Sequence, residues 1–346
     1  MTNTVAGAPI DVSIIIVTWN GLRHLQTCLD AVAAQQGVDA ETILVDNGSA
    51  DGSVDFVRAH FPAVRVVALD RNLGFAGGNN TGARAARGRY LVFLNNDTAV
   101  EPGWLLALRQ GVDDAAGVAL ITSRVVYMHD PGVIDSAGDG VLRIGGAFKR
   151  FHGARVADAP EVMESGEVFG VCGAACLVSK VVFDELGGFD EDFFVSHEDV
   201  DLSYRARLRG YRCRYVASAV VRHQGSATLG RTSAFAVFHG QRNLEWMYLK
   251  NSPLSILLRS LPGHLFYTAA AAGYFARLGL LGAFLRAKVA AAAGVPAVLR
   301  KRAVVQRTRR VGAEAIWPLL ERRWLARKLE EKRFDVGVAG GSGPGA

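Results

Sequence analysis

The sequence predicts an α/β fold in which a doubly wound, mostly parallel sheet is followed by a C-terminal helical extension. Over about the first hundred residues, apolar runs typical of strands buried on both faces alternate with segments of helical periodicity. From residue 254 the composition shifts to Ala, Leu, Gly and Arg, which indicates a second unit. A chain of 346 residues is long enough for one large domain and an appendage.

Each element is predicted from a local pattern. Ser13–Thr18 is an apolar, β-branched run that does not alternate, and Leu22–Gln35 places Leu25, Leu29 and Val32 at helical spacing. Segment 125–170 is rich in Gly and Asp and predicts loops and short strands near the site. The other predicted elements are strands at Thr42–Val45, Val64–Leu69, Tyr90–Leu94 and Tyr215–Val221 and a helix at Asp55–His60.

The charge is unevenly distributed along the chain. Residues 1–253 hold 23 Lys+Arg and 28 Asp+Glu, whereas residues 254–334 hold 16 and 4, within a total net charge of +6. We therefore predict a front domain of residues 1–253, a basic, apolar helical extension of 254–334 and a disordered tail of 335–346.

The cysteines and the N-terminus indicate the compartment. Four cysteines are too few and too scattered for a disulfide framework, and Cys172 and Cys176 lack the second pair that a zinc site needs. The first residues lack a basic segment followed by an apolar one, so we expect no signal peptide. The protein is predicted to be cytoplasmic.

Polar residues directly follow the predicted strands, where ligands bind in such sheets. The carboxylate of Asp46, after the second strand, can accept a hydrogen bond from the imide N–H of uracil or thymine. Ser49, Asp51 and Ser53 are typical turn and helix-cap residues. The glycines of RNLGFAGGNNTGARAARG, Arg71 to Gly88, allow backbone amides in a loop to approach a diphosphate.

The sequence FLNNDT predicts a cation site. Asn95 and Asp97 offer oxygen ligands directly after a buried strand, and Mg²⁺ or Mn²⁺ prefers such ligands together with substrate phosphates. His223 follows another predicted strand and can complete the metal shell through a ring nitrogen. A purely structural histidine is the alternative.

The stretch HEDVDLSYR places Glu198, Asp199 and Asp201 at the start of a helix. Three acidic residues at one helix start suggest a carboxylate presented as a general base. Capping of the helix is the alternative role of Asp201.

Together these stretches resemble family 2 glycosyltransferases with the GT-A fold, in particular the rhamnosyltransferase-like branch. The resemblance covers roughly residues 11–250 and rests on SIIIVTWN, ILVDNGSADGS, NLGFAGGNN, FLNNDT, GGFDEDFFVSHEDVDLSYR and RHQGSAT. It implies a nucleotide-sugar-binding, catalytic front domain. Asn95 departs from the family's Asp-x-Asp metal motif, whose first carboxylate it replaces. The implied residues are Thr18, Asp46, Asn72, Gly74 and Asn96 for the donor, Asp97, Asn95 and His223 for the metal, and Asp199 with Glu198 for catalysis.

The implied activity is metal-dependent, inverting transfer of a sugar to a hydroxyl of a polysaccharide or lipid-linked glycan, as in cell-envelope polysaccharide synthesis. The best candidate is L-rhamnose from dTDP-rhamnose, and a UDP-linked hexose or galactofuranose is the alternative. A non-catalytic, nucleotide-sugar-binding scaffold is a further possibility. A dehydrogenase is disfavoured because Gly74-x-x-Gly77 lacks the G-x-G-x-x-G loop after the first strand.

The extension predicts a membrane-associating region. Its longest apolar run, Leu265 to Ala276, is about half of the roughly 20 residues that cross a bilayer. One or two amphipathic helices on an anionic membrane surface fit better, which places the protein peripherally on the inner face of the cell membrane. A helical subdomain packed on the front domain is the alternative, and no nucleic-acid partner is expected.

Overall fold

The structure, a computed structural model, describes residues 10–225 and 233–329. The predicted tail of 335–346 and the end of the RHQGSAT stretch lie outside the described residues. The strands are β1 (Val12–Thr18), β2 (Ala40–Asp46), β3 (Arg65–Ala68), β4 (Tyr90–Asn95), β5 (Thr98–Val100), β6 (Val118–Tyr127), β7 (Ile134–Ser136), β8 (Asp139–Val141), β9 (Ala147–Lys149), β10 (Gly166–Val168), β11 (Ala175–Ser179) and β12 (Arg212–His223).

Within the described ranges, ten strands form one sheet in the order β10-β12-β6-β11-β4-β1-β2-β3, with β5 paired to β12 and β7 to β6. One half of the sheet, β4-β1-β2-β3, is parallel, as are the neighbours β6 and β12, which confirms the predicted fold. β11 enters antiparallel between β4 and β6, a feature that local sequence patterns did not indicate. Strands β8 and β9 form a separate hairpin.

The isoleucines of β1 show why this strand lies at the centre. Ile15 belongs to one hydrophobic cluster, and Ile14 and Ile16 belong to another on the opposite face. A strand covered on both faces requires apolar side chains at successive positions, which is the pattern that predicted it.

Helices cover both faces of the sheet. Leu25 of the first helix and Val57 of the second pack on one side, whereas Ala76 and Ala83 of the third pack on the other. The helices are α1 (Leu22–Ala33), α2 (Ser53–His60), α3 (Gly74–Ala85), α4 (Trp104–Gln110), α5 (Lys180–Glu185), α6 (Glu198–Leu208), α7 (Ala234–Asn251), α8 (Leu254–Arg277), α9 (Leu281–Ala293), α10 (Val295–Thr308) and α11 (Ala313–Ile316).

The prediction of a Gly-rich loop over residues 71–88 is wrong for its middle, because residues 74–85 form α3. A methyl group added at Gly82 would overlap the side chain of Ile15, and one added at Gly78 would overlap Val17. These glycines therefore allow α3 to lie close against the sheet.

The extension packs on the front domain. Trp246 Nε1 of α7 donates to the carbonyl of Ala291 in α9 at 3.0 Å, and Arg302 of α10 donates to the carbonyl of Ser252 at 2.6 Å. In the part of the chain that the structure describes, no single helix is long and apolar enough to cross a membrane. Within residues 10–225 and 233–329, α9 and α10 taken together, with a bend of 59° between them, are the one pair that meets the length and composition needed.

Candidate active site

Three predicted donor-binding residues meet where the central strands end. Thr18 closes β1 and lies opposite Asp46, which closes β2. Asn96 follows β4 and donates from Nδ2 to Thr18 Oγ1 at 2.8 Å. The parallel register thus brings these residues to one edge of the sheet, where the ligands of such folds bind.

Asp46 has one carboxylate oxygen in use and one unpaired. Its side chain is buried, with 2% of the residue exposed. Oδ2 accepts a hydrogen bond from the backbone N–H of Ser49 at 2.9 Å, whereas Oδ1 is buried and has no hydrogen-bond partner among the described residues. An unpaired buried acceptor costs free energy and suits a ligand that brings an N–H donor.

The neighbouring turn has the structural role that its residue types predict. Asp51 Oδ2 accepts from the backbone N–H of Leu22 at 2.9 Å, and its Oδ1 accepts from the N–H of Ser53 at 3.1 Å. Ser49 Oγ accepts from the N–H of Asn20 at 2.8 Å. These bonds fix the loop that carries Asp46.

Asn72 and Gly74 lie in the turn that begins α3. Asn72 Oδ1 accepts from the N–H of Gly74 at 2.8 Å, and Asn47 Nδ2 donates to the carbonyl of Gly74 at 2.9 Å. Gly74 has φ +72°, and a Cβ there would overlap the backbone oxygen of Phe194. Sequence reasoning did not single out Asn47, which holds this turn.

Strand pairing brings the predicted metal ligands together. β5 pairs with β12 so that Thr98 lies opposite His223. His223 Nε2 lies 3.3 Å from Asp97 Oδ1 and 3.4 Å from Asn95 Nδ2. These three side chains therefore share one small volume although Asp97 and His223 are far apart in the sequence.

Asp135, which the sequence analysis did not single out, supports His223 from behind. It lies on β7 and places Oδ2 2.7 Å from His223 Nδ1. Tyr127 Oη donates to its Oδ1 at 3.1 Å, and Lys149 Nζ donates to the same oxygen at 2.9 Å. This carboxylate fixes the orientation of the imidazole ring.

The electrostatics follow from these contacts. Burial lowers the pKa of His223, but its hydrogen bonds to Asp135 and Asp97 outweigh burial and raise that pKa to about 9. Burial raises the pKa of Asp97, but the hydrogen bond and charge of His223 bring it below its usual value. The Asp97 carboxylate is therefore ionised at neutral pH.

The donor set fits a divalent cation. Asp97 offers a carboxylate oxygen, Asn95 an amide oxygen, and His223 an Nε2 whose ring is oriented through Nδ1 by Asp135. Metal-bound histidines usually make such a second contact to a carboxylate. Oxygen ligands with one imidazole suit Mn²⁺ or Mg²⁺.

The predicted base lies at the first turn of α6. Asp199 Oδ2 accepts from the N–H of Gly173 at 2.7 Å, and Oδ1 accepts from the N–H of Val200 at 2.8 Å. Asp199 is partly exposed, whereas Glu198 is only 5% exposed and has an unpaired buried Oε2 among the described residues. Asp199 is thus the more accessible of the two carboxyl groups.

Two more polar side chains crowd Asp199. A carboxylate oxygen of Asp139, the Sγ of Cys172 and a carboxylate oxygen of Asp199 all lie within 4.8 Å of one another. Burial, and next the charge of Asp199, hold the pKa of Asp139 and that of Glu198 well above their usual values. Burial also raises the pKa of Asp199, although its backbone hydrogen bonds and the charge of Lys149 oppose this.

Asp139, Lys149 and Asp135 were missed because segment 125–170 lacks clear periodicity. Asp139 and Lys149 are paired residues of the β8–β9 hairpin. Two of these residues could have been suspected from the sequence. Asp135 and Asp139 lie in IDSAGDG, Ile134 to Gly140, where acidic residues are flanked by Ser and Gly as they are at the other predicted site residues.

The predicted base and the predicted metal-binding turn are linked by one short segment. The N–H of Gly173 donates to Asp199, and the carbonyl of the next residue, Ala174, accepts from the N–H of Asn95 at 2.9 Å. The antiparallel strand β11, which follows directly, thus connects the two halves of the site.

Residues before α6 adopt an unusual backbone. Phe194, Ser196 and His197 have φ values of +63°, +75° and +70°, which non-glycine residues rarely adopt. The Nδ2 amide of Asn243 in α7 donates to the carbonyls of Phe193, Val195 and Ser196 at 2.8–2.9 Å. Backbone of this kind clusters at functional sites.

Asp201 does not cap α6, contrary to the capping alternative. It is fully buried and forms ion pairs with Arg205 at 2.8 Å and Lys250 at 2.7 Å. Asn251 Nδ2 also donates to it at 2.8 Å. Its side chain points into the body of the protein and joins α6 to α7.

A protein-family model described as "Glycosyl transferase family 2" matches residues 13–187. Pre-mycofactocin glycosyltransferase of Mycobacterium tuberculosis is 32% identical over 235 residues, which are 66% of this chain and 46% of that protein. The match to the succinoglycan biosynthesis protein ExoO of Rhizobium meliloti is 37% identical over 111 residues and covers 32% of each chain. The chain thus spans less than half the length of these two relatives.

Two further proteins are similar to this chain. N-acetylglucosaminyl-diphospho-decaprenol L-rhamnosyltransferase of M. tuberculosis is 28% identical over 243 residues, 64% of this chain and 78% of that protein. The structure of a mannosyltransferase from Pyrobaculum calidifontis in complex with GDP-Man and Mn²⁺ superposes with a TM-score of 0.52 at 18% identity, covering 87% of this chain and 88% of that one. At this identity the superposition shows a shared fold.

Proposed function

The chain belongs to glycosyl transferase family 2, and we propose that it transfers a sugar from a nucleoside-diphosphate donor to an acceptor hydroxyl, with a divalent cation and with inversion at the anomeric carbon. The observation that carries this proposal is the group of Asp97, Asn95 and His223. It lies where β4 and β12 end, and Asp46 closes β2 of the same sheet. Metal and nucleotide groups of this kind are expected at the carboxyl ends of such strands.

We assign recognition of the donor base to Asp46. Its buried Oδ1, unpaired among the described residues, supports this assignment, because the imide N–H of a pyrimidine would supply the missing donor. Thr18 and Asn96, which are hydrogen-bonded to each other, lie beside it for the rest of the nucleotide. An imide N–H is common to thymine and uracil, so this contact supports dTDP- and UDP-linked donors equally.

We assign the cation to Asp97, Asn95 and His223, with Asp135 orienting His223. When bound, the cation neutralises charge on the departing diphosphate. The contact of His223 Nε2 with Asp97 Oδ1 at 3.3 Å supports this assignment, because a cation between these two atoms would displace the Nε2 proton and take both atoms as ligands.

We assign the base to Asp199. An acceptor hydroxyl is a poor nucleophile at neutral pH, so a carboxylate must take its proton as the oxygen attacks the anomeric carbon. The backbone N–H groups of Gly173 and Val200 hold this carboxylate in place. A single displacement of this kind inverts the anomeric configuration.

We propose L-rhamnose from dTDP-rhamnose as the donor sugar and a polysaccharide or lipid-linked glycan as the acceptor. The support is the likeness to the M. tuberculosis L-rhamnosyltransferase, whose name gives a diphospho-decaprenol acceptor. A UDP-linked hexose or galactofuranose is the second candidate, because Asp46 does not distinguish the two bases.

We further propose that the enzyme works on the inner face of the cell membrane. Helix α8 exposes a row of large apolar side chains. Leu254, Leu258, Leu261 and Leu265 follow one another at about one helical turn, and Phe266 lies next to the last of them. Exposed arginines of the extension, among them Arg259, Arg277 and Arg286, are suited to anionic lipid headgroups.

The test is a turnover assay with purified protein of residues 1–346, Mn²⁺, N-acetylglucosaminyl-diphospho-decaprenol as the acceptor, and dTDP-rhamnose, UDP-glucose or UDP-galactofuranose as the donor. The anomeric configuration of the glycosylated acceptor is read by NMR. We expect turnover with one donor, inversion, and a roughly hundredfold or larger loss in Asp199→Asn with donor binding kept. A product of retained configuration would refute the mechanism. Donor binding without turnover in the parent protein would indicate the scaffold alternative.

A further inference from the structure

A cavity of about 490 Å³ is lined by residues that have no assigned part in catalysis. It is bounded by the β8–β9 hairpin, by β10 and α6, and by the segment that follows α11. That segment is attached to the hairpin, since Glu321 N–H donates to the carbonyl of Val141 and Arg143 N–H donates to the carbonyl of Glu321, both at 2.9 Å.

The cavity has an excess of positive charge. Its lining includes five arginines but only two carboxylates, those of Glu167 and Glu321. Glu167 pairs with Arg207 at 2.6 Å, and Glu321 lies 3.5 Å from Arg327. The five are Arg143, Arg150, Arg207, Arg322 and Arg327.

Three of these arginines, Arg143, Arg150 and Arg322, form no ion pair with a carboxylate of the described ranges. Arg150 donates from Nη1 to the carbonyl of Ala137 at 2.8 Å. Arg143 donates from Nε to the carbonyl of Leu320 at 3.3 Å. Backbone contacts hold these two guanidinium groups in place without neutralising them, so their charge is available to an anion.

The cavity adjoins the exposed apolar side of α8. Trp324, two residues beyond the lining residue Arg322, has its ring 6.0 Å from that of Phe266, and Phe266 is 64% exposed. Arg143 of the cavity and Arg259 of α8 lie over the ring of Trp317, at 4.5 and 4.1 Å. An anion in the cavity would thus lie next to side chains suited to the acyl region of a membrane.

We propose that this cavity binds the phosphate group of an anionic membrane lipid while α8 rests on the membrane. Guanidinium groups pair with phosphate oxygens in bidentate geometry, and the charge excess of the cavity is complementary to that phosphate. The inference rests on the membrane association proposed above and names the site that would select the headgroup. Free phosphate is the other source of the same chemistry.

The test compares two double variants with equal loss of charge. Arg150→Gln with Arg322→Gln alters the cavity, whereas Arg300→Gln with Arg307→Gln removes two exposed arginines of α10 that do not line it. Full-length proteins are incubated with vesicles of phosphatidylcholine alone and with vesicles that contain phosphatidylglycerol, and bound protein is measured by flotation. Inorganic phosphate is then tried alone, by its effect on the melting temperature.

We expect the cavity variant to lose at least about tenfold more affinity for the anionic vesicles than the α10 variant. Replacement of the same two residues by Lys keeps the charge but not the planar fork, so it should recover only part of the loss. If the Gln variant has a lowered melting temperature, the vesicle affinity of the Lys variant serves as the test of the proposed site.

Three results would overturn the proposal, each for a different reason. Equal losses in the two Gln variants would indicate diffuse attraction, and membrane association would stand without a specific site. A cavity variant that loses only the stabilisation by inorganic phosphate would show a site for free phosphate. If the parent protein does not bind anionic vesicles, the proposed membrane association is wrong, whereas the glycosyltransferase assignment is unaffected.

Discussion

Asp97 is the only carboxylate in the Asn95-Asn96-Asp97 turn, so the proposed cation depends on it. We predict that Asp97→Ala abolishes metal-dependent donor binding, because it removes the one anionic ligand of the proposed set. Asn95→Ala should cause a milder loss, and Asn95→Asp a partial gain in Mn²⁺ affinity. Isothermal titration calorimetry of each variant, with Mn²⁺ added in the presence of dTDP, measures these affinities. A weaker Mn²⁺ affinity in Asn95→Asp than in the parent protein would argue against Asn95 as a ligand.

Asp46 is predicted to bind the base through an ionised carboxylate. Asp46→Asn should weaken binding of free dTDP or UDP by about 1.5–3 kcal/mol, since a hydrogen bond to a charged acceptor is lost. Asp55→Asn, which changes an exposed carboxylate in the nearby α2, is the matched control. Equal nucleotide affinity in the Asp46 variant and the parent protein would refute base recognition at this residue.

Lys149 links the carboxylates behind the metal turn to those around the base. Its positive charge lowers the pKa of Asp199, which burial raises. The base must be ionised, so activity falls as the pH drops through that pKa. Lys149→Met should therefore move the acidic limb of the kcat/KM profile to higher pH, whereas Lys149→Arg should leave it near its original position. An unmoved limb in Lys149→Met would contradict the influence of Lys149 on the base.

At the scale of elements, α3 illustrates how one pattern can serve two purposes. Glycine clusters indicate flexible loops at ligand sites, but Gly78 and Gly82 lie inside a helix that packs against β1. Only Gly74, at the first turn, has the positive φ that favours glycine and stands among the predicted donor contacts. The role of Gly78 and Gly82 is to let α3 lie close to the sheet, and local sequence patterns do not report the distance between a helix and a sheet.

This packing predicts a loss of stability rather than of donor contacts. Gly82→Ala should destabilise the protein by about 1–3 kcal/mol, because the added methyl group overlaps Ile15 in a filled core. Gly240→Ala is the control, since it lies in α7 with open space around it and should be neutral or stabilising by roughly 0.5–1 kcal/mol. Urea unfolding compares the two, and a neutral Gly82→Ala would argue against close packing of α3.

At the scale of the whole molecule, the extension is both a structural part and a proposed membrane surface. Lys301 of α10 pairs with Asp190 and Asp192 before α6, and Lys288 of α9 pairs with Glu245 of α7. Deletion after residue 250 would remove these partners and disturb the packing of the front domain. The boundary at residue 253 stays a prediction, and point variants are the suitable test of membrane binding.

The exposed side of α8 gives those variants. Leu258 and Leu265 are 65% and 60% exposed, so replacing both by Asn should leave the fold intact. We predict an approximately tenfold or larger loss of binding to anionic vesicles, because burying a leucine side chain contributes about 1.5–3 kcal/mol. Val181→Asn, on α5 and 73% exposed, should bind as the parent protein does. Undiminished vesicle binding by the α8 variant would place the membrane contact elsewhere.

The sequence by itself determined the fold class, the central strands and most of the residues that meet at the sheet edge. Strands buried on both faces have an unmistakable composition, as in Ile14 to Ile16. Parallel pairing then brings the ends of such strands together, so Thr18, Asp46 and Asp97 were found from their positions after strands. The resemblance to a family supplied their roles, which stay predictions.

Only the tertiary structure decided which distant residues support that site. Asp135 reaches His223, Lys149 reaches Asp135, and Gly173 reaches Asp199 through strand pairings with irregular loops between them. Likewise, Asp201 was a plausible cap until its ion pairs with Arg205 and Lys250 placed it inside the body. The physical reason is that local periodicity reports which face of an element is buried, whereas the partner of a buried charge depends on how separate elements pack.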